Sequence, residues 1–144
     1  MTKAPYGRIT AIDLTTGDHK WSVPHGSGPR DHPRLRPLSL PPLGWPSRGF
    51  VIATKTLVAA VQEPATTGRL SQTTNAFEYT ATTREPKLRL FDKRTGQLVS
   101  EIDLPANAGG SPMTYRIGLD QFIVVPVGGA SVAAELVALA VRGS

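Results

Sequence analysis

The sequence contains no cysteine, few aromatic residues and no long hydrophobic run. Without cysteine, a disulfide framework, a thiol nucleophile and a thiolate metal site are all excluded. Residues 1–20 lack the apolar core of a signal peptide, and no apolar run approaches the ~18 residues that a membrane-spanning helix needs. We therefore expect neither a signal peptide nor a transmembrane segment within these 144 residues.

Several sequence motifs of catalysis are missing as well. No G-x-S-x-G, Walker loop or dinucleotide fingerprint occurs. The three histidines, His19, His25 and His32, do not have the spacing of metal ligands. We expect them to be exposed structural residues, and we predict no metal site on this chain.

The chain is basic, with a net charge of +5 and a pI of about 10. A basic chain can bind nucleic acid. The aromatic residues are not interleaved with the positive charges as a base-stacking surface requires, so we expect solvated loops and strand faces and no nucleic-acid partner. The charges in question are Arg30, Arg34 and Arg36 in one group, and Arg84, Lys87, Arg89, Lys93 and Arg94 in another.

Thirteen prolines and fourteen glycines in 144 residues favour short strands joined by turns. Alternating or short apolar segments such as RITAIDL, FVIAT, LVAAV, KLRLFD and QFIVVPV predict about nine strands and no helix. Residues 24–46 hold seven prolines, which predicts a long, irregular but ordered connection because proline cannot donate to a sheet. The polar residues 62–86 predict a second loop.

Two segments of the chain repeat one another. ITAIDLTTGDHKWSV and LRLFDKRTGQLVSEI superimpose, with Asp13 on Asp92 and Gly17 on Gly96. Each segment has the pattern of a hairpin with one apolar face that it cannot bury alone, and such antiparallel units stack radially into a β-propeller. In that arrangement Trp21 lies flat between neighbouring sheets, with its N–H within reach of a backbone carbonyl.

The pattern A-x-D-x-x-x-G-x-x-x-W, from Ala11 to Trp21, resembles the tryptophan-docking motif of the quinoprotein dehydrogenases. These are eight-bladed propellers that carry pyrroloquinoline quinone (PQQ). The ordered segments LPPLGWPSRGF, LRLFDKRTGQL, GGSPMTYRIG and QFIVVPVGG resemble the C-terminal blades of the glucose-type, membrane-associated branch. Two positions depart from the pattern: Ser100 stands where the second motif has tryptophan, and Ala130 stands where several glucose-type members have a substrate-side histidine.

The resemblance implies an all-β fold of antiparallel four-stranded blades, present here as a partial propeller. Residues 8–23 are then the end of one blade and 24–49 a proline-rich loop. Residues 50–104 form a complete blade with loop 62–86, and 112–141 an incomplete last blade. In the family the missing strand of that last blade comes from the N-terminus, so the partners implied are the remaining blades or other copies of the chain.

The resemblance also implies a chemistry. Family members oxidise the hydroxyl of a sugar or alcohol by hydride transfer to PQQ, pass electrons to ubiquinone, and work in the periplasm at the membrane. The aspartate base and the Ca²⁺ ligands of the family lie on earlier blades. We therefore predict no catalytic residue and no metal ligand on this chain, and we expect it to be inactive in isolation.

Cofactor-facing residues are predicted in two segments. Trp45, Ser47, Arg48 and Gly49 precede an innermost strand, where an arginine suits the carboxylates of PQQ and a glycine allows close approach. Gly110, Ser111 and Pro112 take the same place one blade later. The alternative is that Trp45 caps a proline loop and Arg48 is solvated.

Two other functions remain open at this point. One is a non-enzymatic PQQ-like propeller that acts as a binding scaffold. The other is a non-functional remnant of a truncated gene.

Overall fold

A computed structural model describes residues 3–71, 73, 76–82, 84–129 and 132–141, with the side chains of 67–70, 77–81 and 141 left out. These residues form eleven strands and two single-turn 3₁₀ helices, so the all-β prediction is confirmed. The strands are β1 (Arg8–Ile12), β2 (His19–Pro24), β3 (Gly49–Ala53), β4 (Leu57–Gln62), β5 (Ala65–Leu70), β6 (Phe77–Thr82), β7 (Lys87–Asp92), β8 (Leu98–Asp103), β9 (Met113–Ile117), β10 (Asp120–Gly129) and β11 (Val132–Val141).

All strand pairs are antiparallel, and they form four sheets. The orders are β1-β2, β3-β4-β7-β8, β9-β10-β11 and the separate hairpin β5-β6. That hairpin lies within the stretch 62–86, where the polar composition predicts a loop, and it adds the two strands beyond the predicted nine. Its threonine-rich, alternating sequence suits a strand even though few of its residues are apolar.

The two backbone hydrogen bonds of the turn are the same in both repeated segments. Each turn begins with an aspartate. The Asp13 N–H donates to the Asp18 carbonyl, and the Asp13 carbonyl accepts from the Gly17 N–H. Asp92 makes the same two bonds, to Gln97 and Gly96. Gly17 and Gly96 have φ of 79° and 74°, a conformation that glycine adopts without steric cost. Both hairpins also carry a register shift just before the turn.

Two apolar clusters join the three main sheets to one another, with the four-stranded sheet in the middle. The larger cluster joins the four-stranded sheet to the β9-β10-β11 sheet, with Val61 and Leu88 against Val125, all fully buried. The smaller one joins β1-β2 to the opposite face of the four-stranded sheet, with Phe91 against Trp21. The four-stranded sheet is thus covered on both faces.

Trp21 makes the contact between hairpins that the sequence predicts. Its indole N–H donates to the Lys93 carbonyl at 3.0 Å. Its ring lies against Gly96, where an added Cβ would come within 2.7 Å of the ring atoms. A glycine at position 96 therefore serves both the turn conformation and the close approach of the indole.

The proline-rich connection is ordered, with 3₁₀ turns at Pro29–Asp31 and Arg36–Leu38. Its ends are joined by backbone hydrogen bonds, including Leu43 N–H to Ser27 C=O at 2.8 Å and Trp45 N–H to His25 C=O at 3.0 Å. This ladder places Trp45 beside the end of β2 and the start of β3.

Candidate functional site

Trp45 is the aromatic centre of the candidate site. It is half-buried, and its indole N–H donates to Glu85 Oε1 at 3.0 Å. The guanidinium carbon of Arg84 lies 4.0 Å from the centre of the ring, in a cation–π contact. The Trp45 backbone passes very close to Gly7, whose added Cβ would overlap the Trp45 carbonyl. The indole is therefore fixed at its backbone, its N–H and one face.

Glu85 is the acceptor at the hub of a polar network. Besides Trp45, its carboxylate accepts from Arg89 Nη2 at 2.6 Å and from the backbone N–H of Ser27 at 3.0 Å, and the Ser27 hydroxyl also donates to it. Its backbone has φ of 45°, a conformation uncommon for a residue other than glycine. These contacts tie the proline-rich connection to the start of β7.

Arg89 balances the carboxylates in this network. Its side chain is only 5% exposed, and it also donates from Nε to Glu101 at 2.6 Å and from Nη1 to Gln62 at 3.3 Å. Gln62 in turn donates to the His25 carbonyl at 2.9 Å. A buried guanidinium with three acceptors is satisfied, as a charge away from water must be.

The prediction of an exposed histidine is wrong for His25. This residue is 4% exposed, and burial, together with the nearby Arg89, lowers its pKa to about 4, so the imidazole is neutral at pH 7. Its Nε2 has no hydrogen-bond partner among the described residues. One signal in the sequence points to this burial: His25 occupies the place in the first repeat that the apolar Leu104 occupies in the second.

A cavity of about 290 Å³ lies beside Trp45. It brings together three of the predicted cofactor-facing residues, Trp45, Ser47 and Gly49. Its other lining residues are Gly7, Arg8, Ile9, Thr10, His25 and Val51. The ring of Trp45, the glycine Gly49 and the cation of Arg8 line this cavity together. Such a lining fits a planar anionic group such as PQQ.

The remaining predicted residues lie elsewhere. Arg48 forms an ion pair with Glu63 at 3.0 Å, and its side chain is 73% exposed, so the alternative interpretation, a solvated arginine, matches its position. Gly110, Ser111 and Pro112 lie in the connection between β8 and β9 and do not line the cavity. Of these three, only Pro112 is buried.

Asn107 holds the backbone of Arg84, the cation beside Trp45, by two hydrogen bonds. Asn107 Oδ1 accepts from the Arg84 N–H and its Nδ2 donates to the Arg84 C=O, both at 2.9 Å. Asn107 is 1% exposed and stands three residues before Gly110. Sequence reasoning missed Arg84, Glu85 and Asn107 because Arg84 and Glu85 lie in the stretch predicted as a polar loop, and they meet Trp45 only in the folded chain.

The described part of the chain contains no group of three or more His, Asp or Glu residues able to hold a metal ion. Nor does it contain a helix long and apolar enough to cross a membrane. Ala130, at the position where several glucose-type members have a histidine, lies outside the described residues.

Comparisons with known proteins identify relatives of this chain. Residues 1–123 match the β-propeller domain of the glucose/ethanol/alcohol dehydrogenases that use PQQ. A probable quinate dehydrogenase (quinone) of Xanthomonas campestris pv. juglandis is 31% identical over 130 residues, which cover 88% of this chain and 14% of the relative. The glycerol dehydrogenase large subunit of Gluconobacter oxydans (strain 621H) is 28% identical over 129 residues, covering 88% and 15%.

A quinoprotein glucose dehydrogenase of the same strain is 30% identical over 129 residues, covering 87% of this chain and 14% of the relative. The chain thus spans about one seventh of the length of these relatives. No solved structure matches it. With the family match over most of its length and stacked antiparallel sheets of the kind a propeller contains, the chain belongs to the PQQ-dependent quinoprotein dehydrogenase family.

Proposed function

We propose that this chain is a segment of a PQQ-dependent dehydrogenase of the glucose type, which oxidises a sugar or alcohol hydroxyl. The observation that carries the proposal is the pair of congruent hairpins joined by the Trp21 N–H to Lys93 bond, within a chain of this family. Bound PQQ would supply the hydride acceptor, and the protein would position it. No catalytic base is assigned to this chain, and we propose that the isolated chain is inactive.

The cofactor would lie beside Trp45, with Ser47 and Gly49 at the cavity wall. The fixed orientation of the indole supports this, because a rigid ring offers a stacking surface at little entropic cost. Arg48 is paired with Glu63 and does not line the cavity, so we assign it no cofactor contact. Gly110, Ser111 and Pro112 do not line this cavity, and they would contact the cofactor from the connection between β8 and β9. A Ca²⁺ ion, where the whole protein holds one, would be bound by residues of other blades.

The other propeller blades are the proposed partner, and two surfaces support this. The β1-β2 turn repeats the β7-β8 turn that receives Trp21: Leu14 corresponds to Lys93 and is 97% exposed, and a Cβ added at Gly17 would meet no described atom within 4 Å. We propose that this turn receives a tryptophan in the same docking motif. On the β9-β10-β11 sheet, Met113, Ile117 and Leu136 leave an apolar face exposed, which another blade would cover.

Substrate and location remain proposals drawn from the family. The names of the relatives cover glucose, glycerol and quinate, so we propose a polyhydroxylated substrate. Periplasmic work at the membrane, with ubiquinone as acceptor, follows from the glucose-type resemblance.

A segment exchange tests the proposal. The matching segment of the Gluconobacter oxydans quinoprotein glucose dehydrogenase is replaced by this chain, and PQQ-dependent glucose oxidation is measured with an artificial electron acceptor. The control is the same enzyme with the segment deleted. Activity above the deletion control supports the dehydrogenase assignment. A folded, PQQ-binding but inactive chimera favours a scaffold or a remnant instead.

A simpler measurement addresses the partner. Light scattering on the purified chain, with and without PQQ and Ca²⁺, gives its solution mass. A defined oligomer sharpened by PQQ supports ring closure by copies of the chain, whereas a monomer indifferent to PQQ supports a requirement for other blades.

A further inference from the structure

A second cavity, of about 570 Å³, lies between the end of β2, the proline-rich connection and the β7-β8 hairpin. Its lining residues include Val23, Arg30, Phe91 and Leu98, and we call it the hairpin cleft. It shares no lining residue with the cavity beside Trp45. All of its walls belong to this chain, so no other blade is needed to form it. Its volume is typical of small-molecule sites, which enclose about 300–1,000 Å³.

The apolar part of the hairpin cleft runs from a buried floor to an exposed rim. Phe91 is 3% exposed, and Val23 packs against the cluster that contains it. At the rim, Leu98 is 46% exposed and Pro42 is exposed as well. An apolar group that enters the cleft would remove this rim surface from water, which is favourable.

The charged residues of the hairpin cleft leave one cation without a partner. Glu85 and Glu101 each accept a hydrogen bond from Arg89 at 2.6 Å. Lys87 is paired with a carboxylate of β8 at 2.5 Å. Arg30 is exposed, and it has no carboxylate within 4.0 Å among the described residues. An anion at the rim would therefore meet a guanidinium that no described carboxylate neutralises.

The backbone around Arg30 is ordered by hydrogen bonds. Arg30 lies in the 3₁₀ turn Pro29–Asp31, which the His32 N–H closes by donating to the Pro29 carbonyl at 3.0 Å. The forked donors of a guanidinium match the two oxygens of a carboxylate. An apolar wall with a single free guanidinium at its rim suits a molecule with an apolar chain and a carboxylate at its end.

We propose that the hairpin cleft binds a small amphipathic carboxylate, such as a medium-chain fatty acid. Its chain lies along Phe91 and Leu98, and its carboxylate pairs with Arg30. This site is separate from the proposed cofactor cavity, and its ligand is of a different chemical class from PQQ.

The test is a titration of the complete 144-residue chain, labelled with ¹⁵N and followed by amide NMR spectra. Octanoate is the probe, and 1-octanol is the matched probe with the same chain and no charge. We expect octanoate to shift the amide signals of Gly26 and Gly96, which line the cleft. We expect 1-octanol to bind at the same place about fivefold more weakly, because it lacks the charge-assisted contact.

Three variants separate the two parts of the proposed site. Arg30→Gln should lower the affinity for octanoate to about that for 1-octanol. Arg34→Gln is the matched control, because Arg34 is exposed in the same connection but does not line the cleft, and it should stay within about twofold of the native chain. Leu98→Trp places a larger side chain at the rim and should weaken both probes. The dispersion of the amide signals checks that each variant is folded.

Two results would overturn the inference. One is a folded native chain in which octanoate leaves Gly26 and Gly96 unshifted, or shifts only the exposed apolar face of the β9-β10-β11 sheet. The other is equal octanoate affinity in folded Arg30→Gln and the native chain. Both results leave the proposed function standing, since PQQ binding is followed separately at Trp45 and Gly49 in the other cavity.

Discussion

The two repeated hairpins of this chain share the backbone hydrogen bonds of the turn but have very different surroundings. β1-β2 and β7-β8 share the aspartate turn, the left-handed glycine and the register shift. β7 is an inner strand whose central residues are all buried, whereas β1 pairs only with β2 among the described residues and its residues are half-buried or exposed. Local interactions thus set the turn, and the neighbouring strands decide the burial.

Two pairs of corresponding residues in the repeats show how the surroundings change the role of a side chain. Leu104 is buried in the large cluster after β8, and its N–H bonds the Pro86 carbonyl. Its counterpart His25 makes the same backbone bond, to Gly7, but is buried within a polar network. Trp21 and Ser100 form the second matched pair, and only Trp21 has a described side-chain hydrogen bond to another hairpin. The backbone pattern of the repeat therefore accommodates different side-chain roles.

The largest difference between the two hairpins should appear in the free energy of unfolding when a core side chain is removed. Leu88 is fully buried in β7, and its counterpart in β1 is Ile9, which is half-buried. We expect Leu88→Ala to lower the free energy of unfolding by about 2–5 kcal/mol and Ile9→Ala by about half as much, because less apolar surface is buried at Ile9. Urea unfolding followed by circular dichroism measures both. Equal losses would show that β1 is as enclosed as β7.

Trp21 and Ser100 offer the second test. Trp21→Ala removes the contact with Gly96 and the hydrogen bond to Lys93, and we expect a loss of about 3 kcal/mol in the free energy of unfolding. Ser100→Ala, its matched control, should change stability by less than about 0.5 kcal/mol. Trp21→Phe keeps most of the ring and separates packing from the N–H bond. If both alanine variants unfold like the native chain, the indole does not join the hairpins in solution.

Burial of His25 predicts that the free energy of unfolding depends on pH, an effect that the apolar Leu104 at the corresponding position cannot produce. The pKa of His25 is about 4 in the folded chain and about 6.5 when unfolded. Between these values the unfolded chain takes up a proton that the folded chain does not, so stability is complete above pH 6.5 and falls as the pH approaches 4. From about pH 7.5 to about pH 5 we expect a loss of about 2 kcal/mol.

His25→Leu, which copies the repeat, should abolish this part of the pH dependence in urea unfolding measured at both pH values. His32→Gln, at an exposed position, is the control and should retain it. A loss on acidification that persists in His25→Leu would assign the effect to other groups.

The smallest expected difference concerns the two turn glycines. Gly17→Ala and Gly96→Ala both force alanine into a left-handed conformation, which costs about 1 kcal/mol. At Gly96 the added methyl group also meets the Trp21 ring, so we expect a further loss of about 1 kcal/mol. Thermal unfolding of both variants measures the difference. In a Trp21→Ala background the two variants should become alike.

The candidate site was only partly predictable. Trp45, Ser47 and Gly49 stand close together in the sequence, and a turn-rich segment before a strand brings them to one cavity. Arg48 shares that segment, but its side chain pairs with Glu63 away from the cavity. Arg84 reaches Trp45 from a distant part of the sequence, through the strand pairing of β4 with β7, which no local pattern reveals.

The sequence by itself determined the all-β class, the two congruent turns and the family, because strand alternation, aspartate–glycine turns and motif spacing are local properties of the chain. The tertiary structure alone decided that β7 is buried while β1 is more exposed, that Ala65–Leu70 pairs with Phe77–Thr82, and that His25 is neutral within the protein. These outcomes depend on which distant segments exclude water from a residue, and burial and pKa follow from that exclusion.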